Sequence, residues 1–113
     1  MPSREHQKGV RKTAIEHDRN GWDLKADLRG WPHPPIVAGR RPDVVATKRG
    51  SRRIIETERS RGAHGDQHTA FRRHASQKTN TIFFGCVVNA AGRHVERFDR
   101  REPVSVLPFV DTS

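Results

Sequence analysis

The chain has 113 residues, 32% of them hydrophobic and 31% charged, with 22 lysines and arginines against 13 acidic residues. A chain of this length builds one domain with a thin core, which excludes a multidomain architecture, and its longest apolar run, about seven residues, excludes a membrane-spanning helix. The formal net charge of +9 favours a polyanionic partner through counterion release.

From Arg4 the N-terminus is charged, so no secretory signal is read and a cytoplasmic protein is expected. Residues 3–20 read as a helix, with Ser3 as N-cap, Glu5 in the first turn and Asn20-Gly21 as the stop. Its narrow apolar stripe is Val10, Ala14 and Ile15 with His17, and Gly9 is a weak point. Residues 22–28 alternate, with Trp22, Leu24, Ala26 and Leu28 on one face and Asp23, Lys25 and Asp27 on the other, which predicts a half-buried strand. Pro32, Pro34 and Pro35 then impose a loop, on which Trp31 either packs over the sheet or offers a stacking face to a base. Residues 36–38 read as the start of a strand that Gly39 interrupts; the strand proper covers 43–47. Lys48-Arg49-Gly50-Ser51 reads as a hairpin turn, with a returning strand over 52–58.

Asp66 is placed to cap a second helix reaching to about Lys78, with Ala70, Phe71, His74 and Ala75 inward. Residues 81–88 are nearly all apolar and predict a strand buried on both faces, parallel to the 52–58 strand. Within it, Cys86 reads as a buried small hydrophobe; one cysteine forms no intrachain disulfide, which fits a reducing cytosol. Residues 90–99 read as a short helix with Val95 and Phe98 inward, and 104–107 as an edge strand. The fold expected is α/β, a small mixed four-stranded sheet flanked by helices in the order α-β-β-β-α-β. It forms one domain over 1–113, with a core over about 4–88 and a C-terminal extension over 89–113. A domain with so thin a core is marginal alone, so a homodimer is expected.

Asp43, Glu56 and Glu58 fall on two strands that should be neighbours. Three converging carboxylates raise each other's pKa, and a hard divalent cation such as Mg²⁺ or Mn²⁺ relieves that repulsion. A metal held by carboxylates inside a basic protein points to phosphodiester chemistry. The plainer alternative is a solvated acidic face, but Ile54 shares that face, and an acidic pair on a central strand is costly unless it is used.

Pro42-Asp43 followed, with Glu56 thirteen positions after Asp43, by Glu56-Thr57-Glu58, in this order of elements, resembles the PD-(D/E)XK nuclease superfamily, which includes many restriction enzymes and small Holliday-junction resolvases. The resemblance covers residues 4–88 and implies a restriction endonuclease-like fold. It also implies a metal-dependent endonuclease acting on DNA, with Asp43 and Glu56 as metal ligands. Glu58 stands where the family usually has lysine and would serve as general base or further ligand. Lys25, Lys48 or Arg53 would then supply the missing charge, with Lys25 the best placed by parity. Glu5 on the first helix and Gln67 at the start of the second match positions at which family members add an acidic residue and a Gln for the metal-bound water.

Phosphate contacts are expected from Arg40-Arg41, Lys48-Arg49, Arg52-Arg53 and Arg72-Arg73, which flank the acidic strands or the following helix; Arg97 to Arg101 read as solvated surface. His64 and His68, at i and i+4, read as ordinary helix-surface residues; the lesser alternatives are a phosphate contact from either and a metal site formed with nearby His74. DNA is favoured over RNA as partner. The alternatives are a catalytically inactive nucleic-acid-binding relative of the same fold and, more weakly, a structural basic protein.

Overall fold

The computed structural model describes residues 4–60 and 65–98 and is a mixed α/β fold. In chain order the elements are α1 (Arg4–Arg19), β1 (Asp23–Ala26), β2 (Val44–Lys48), β3 (Ser51–Glu58), α2 (Gly65–Ser76), β4 (Thr81–Val88) and β5 (His94–Phe98). One sheet holds all five strands in the order β1-β2-β3-β4-β5. The first three form an antiparallel meander, β4 runs parallel to β3, and β5 returns antiparallel to β4. The β2–β3 turn places Arg49 and Gly50 at φ 51° and 84°, the pair of positive angles that a tight hairpin demands.

The sheet therefore has five strands rather than four. The segment read as a helix over 90–99 is a turn followed by β5. Asn89 Oδ1 accepts hydrogen bonds from the backbone N–H groups of Ala91 and Arg93, and this reverses the chain. Phe98 then packs against its strand partner Gly85, where any Cβ would overlap the ring. The spacing of Val95 and Phe98 suggested a helical face, yet only Phe98 is buried; Val95 is 61% exposed. Residues 36–40 contribute no strand, only an isolated bridge between Val37 and Arg40. The edge strand read over 104–107 lies outside the described residues.

A hydrophobic cluster fills each face of the sheet. On one face, α1 buries Val10 and Ala14 against Leu24, Ala26, Val44, Ala46, Ile55, Phe84 and Cys86. Trp22 and Trp31 pack on this cluster half-buried, so for Trp31 the packing alternative is the one observed. On the other face, α2 buries Phe71 and Ala75 against Ile54, Phe83 and Val37. The buried stripe of α1 differs from the expected one: Thr13 is inside and Ile15 is exposed. Gly9 is the reason α1 sits so low on the sheet, since a Cβ there would run into Thr57 and Val88.

The antiparallel β2–β3 pairing decides where the chemistry lies. Val44 pairs with Ile55 and Lys48 with Ser51. Asp43, Glu56 and Glu58 thus collect at one end of the sheet, and the Lys48–Ser51 turn lies at the other. Alternation along β3 then turns Ile54, Glu56 and Glu58 toward α2, and Arg53, Ile55 and Thr57 toward α1.

Candidate metal centre

Asp43 precedes β2 by one residue and lies beside Glu56. The two are braced crosswise through the backbone. The Asp43 N–H donates to Glu56 Oε2 at 2.7 Å, and the Thr57 N–H donates to Asp43 Oδ2 at 2.8 Å. His6, in the first turns of α1, places Nε2 3.2 Å from the same Asp43 oxygen. From α2, Gln67 Nε2 donates to Glu56 Oε1 at 2.8 Å, and His68 Nε2 lies 3.1 Å from Glu58 Oε2. Four elements or their flanks thus converge on three carboxylates.

All three carboxylates are buried, with Glu56 2% and Glu58 3% exposed. Burial pushes the Glu56 carboxyl up to about 9, and the adjacent charge of Asp43 adds to the shift; the Asp43 N–H and Gln67 oppose it. The His6 imidazole is raised chiefly by its hydrogen bond to Asp43, with burial opposing and the charges of Asp43 and Glu58 assisting. This is a site with more buried carboxylates than it can keep ionised, so Glu56 holds a proton unless a cation takes its place. One ligand atom each from Glu56, Glu58 and His68 lie within 4.8 Å of one another, and the group could hold a metal ion. Two carboxylate oxygens and one imidazole nitrogen suit a divalent cation.

The sequence-predicted residues divide accordingly. Asp43, Glu56, Glu58 and Gln67 are brought together. The convergent trio, however, takes His68 as its third member, and Asp43 stands beside it as the residue that holds Glu56. Glu5 lies apart, its Oε1 3.9 Å from Arg59 Nη1. The expectation that His68 is a helix-surface residue is incorrect: it is 3% exposed and packs against Phe83 and Phe98. His64 lies outside the described residues. Neither His6 nor His68 was selected as a site residue from the sequence, although a signal existed for both. His68 shares the i, i+3, i+7 stripe of Phe71 and Ala75, and His6 continues the buried line of Gly9, Val10, Thr13 and His17.

The candidate replacements for the family's lysine also separate. Lys48 donates to the Asn20 carbonyl at 2.6 Å, at the far end of the sheet. Arg53 turns to the opposite face, where Trp22 covers its guanidinium. Lys25 is on the same face as the carboxylates but is exposed and two strands away from Glu58. With Asp23, Pro35, Val45, Thr47 and Arg52 it lines an open groove of about 240 Å³. Arg40 and Arg41, exposed just ahead of Asp43, flank the acidic end; Arg72 and Arg73 are exposed on α2.

No protein-family model matches this chain, and no curated protein matches it. Among the described residues no helix is long and apolar enough to cross a membrane.

Proposed function

We propose that the protein is a divalent-metal-dependent nuclease of the PD-(D/E)XK type with a restriction endonuclease-like core, acting on DNA. One observation carries the reading: buried Glu56, Glu58 and His68 converge within 4.8 Å beside Asp43, a surplus of desolvated carboxylates in a chain of net charge +9. Glu56, Glu58 and His68 would hold Mg²⁺ or Mn²⁺, with Asp43 fixing the Glu56 carboxylate. When bound, such an ion supplies Lewis-acid polarisation of a phosphoryl oxygen and acidifies a water.

The protein's own groups do the rest. Gln67 holds Glu56 in one rotamer, as His68 does Glu58. His6, whose pKa is raised chiefly by its hydrogen bond to Asp43, would be the cation closest at hand to stand in for the family's lysine. Arg40, Arg41 and Arg52 attract phosphates toward this face, with Lys25 beside Arg52 in the groove. Such contacts provide affinity without sequence preference. A homodimer would give a chain this small both added stability and a defined substrate geometry.

The test is incubation of the purified protein with plasmid, branched DNA and RNA, with Mg²⁺ or Mn²⁺. Cleavage by wild type that is lost in Asp43→Asn and Glu56→Gln supports the reading; cleavage undiminished in both variants, or none by wild type, removes it. A second reading, an inactive nucleic-acid-binding relative, draws on the divergence of Lys48 and Arg53 from the acidic end. It predicts binding without turnover and no heat of Mn²⁺ binding in calorimetry.

A further inference from the structure

The face of the sheet opposite the acidic cluster carries a row of cations and aromatic rings, with a contribution from each strand or its flank. In spatial order the row is Trp22, Lys48, Arg53, Phe84 and Arg97. The Arg53 guanidinium carbon lies 4.3 Å from the centre of the Trp22 ring and 5.9 Å from that of Phe84. Arg97 covers Phe84 at 4.1 Å, and Lys48 Nζ is 5.8 Å from the Trp22 centre. His17, at the end of α1, places Nε2 3.1 Å from Arg53 Nη1.

The arginines in this row differ from ordinary surface arginines in what they lack. Among the described residues, neither Arg53 nor Arg97 forms an ion pair with a carboxylate. Lys48 is engaged by the Asn20 carbonyl at the C-terminus of α1, but the polar partner of Arg53 is an imidazole. Burial and repulsion from Arg97 both lower the Arg53 pKa, and burial, helped by the Arg53 charge, lowers that of His17. Two like charges share the Phe84 ring, and the carboxylate whose charge reaches this region, Glu16, is paired with Lys12 and His94. An anion is what would resolve that arrangement. His17 engages only Nη1 of Arg53, and Arg97 has the Cys86 thiol as its polar partner, so further N–H groups of both stacked planes remain to meet a phosphate in a two-point contact.

We propose that Arg53 and Arg97, carried on the rings of Trp22 and Phe84, form a second phosphate-binding site for a nucleic-acid strand, on the face opposite the acidic cluster. The rings are already covered by cations, so the site reads phosphates and does not stack bases. It binds without sequence preference and without metal. The inference shares the ligand class of the nuclease reading but none of its site.

The experiment is fluorescence anisotropy of a fluorescein-labelled, mixed-sequence oligonucleotide in EDTA, over a series of NaCl concentrations. Cleavage plays no part in it, so this inference and the nuclease reading fail separately. Arg53→Met combined with Arg97→Gln is expected to weaken binding about tenfold at ~0.1 M salt and to flatten the log–log salt slope by about one to two. Arg97→Gln alone, on an exposed edge strand, is expected to lose about threefold and guards against a folding defect in the double variant. Arg11→Gln with Arg29→Gln removes the same net charge from elsewhere on the surface and should change affinity by less than about twofold. Affinity and slope unchanged in the Arg53/Arg97 variant, or an equal loss in the Arg11/Arg29 variant, overturns the proposal. Competition by poly-glutamate as strong, per charge, as by unlabelled oligonucleotide also overturns it, since the site would then be a carboxylate receptor.

Discussion

Strand β3 carries two opposite kinds of charge at its two ends, and they are handled by opposite means. At its start, half-buried Arg53 spreads its plane over Trp22 and keeps an edge toward solvent. At its end, Glu56 and Glu58 are taken out of water almost completely and held by Gln67 and His68 of α2 and by the Asp43 backbone. A guanidinium is weakly hydrated and tolerates an aromatic face, whereas a carboxylate stripped of water is costly unless a proton or a cation joins it. The basic end is therefore adaptable and the acidic end is preorganised. A site that must hold one ion in one place is built by the second method.

The largest expected effect breaks the acidic end directly. Glu56→Gln should lower Mn²⁺ affinity and DNA cleavage by at least about 100-fold, read by calorimetry and plasmid nicking, because it removes a ligand rather than a supporting contact. His68→Ala should cost about 10–100-fold in Mn²⁺ affinity. That result would separate the trio from a site of carboxylates alone; no change would return His68 to a packing role. Gly9→Ala probes how α1 delivers His6. The added methyl meets Thr57 and Val88, so thermal unfolding should show a loss of about 1–3 kcal/mol. The corresponding change at the half-buried basic end, Arg53→Met, should cost less, about 1 kcal/mol.

The acidic end also sets a pH signature. Glu56 has a folded pKa of about 9, above its unfolded value of 4.5, so the folded state holds a proton that the unfolded state loses. That contribution is full below the unfolded value and is lost as pH rises toward 9. His6, also raised, acts in the same direction above its ordinary value of 6.5. Metal-free protein should thus lose stability to urea between about pH 5 and 9, and Glu56→Gln should flatten most of that slope. Mn²⁺ should remove it in wild type, with protons released on binding.

Much of the fold was legible because the periodicities are clear. Alternation over 22–28, the Arg49-Gly50 turn and the apolar run 81–88 each specify an element and its direction. The meander brought Asp43 to Glu56 as the spacing implied. The hairpin that makes β5 was not legible, since its signal is an Asn89 side-chain turn and a ring lying on Gly85, contacts between residues distant in sequence or specific to one rotamer. The same limit applies to the site. His6 reaches Asp43 across 37 residues, and His68 becomes a buried partner of Glu58 only once α2 lies on β4. Arg52 and Arg53 read as one basic cluster in the sequence, but strand alternation sends them to opposite faces.

The most direct measurement is an anomalous difference map from crystals soaked in Mn²⁺. A single strong peak is expected within about 2.5 Å of oxygens from Glu56 and Glu58 and a nitrogen of His68. No peak there at saturating Mn²⁺, with Glu58 and His68 still hydrogen-bonded to each other, would contradict the metal centre.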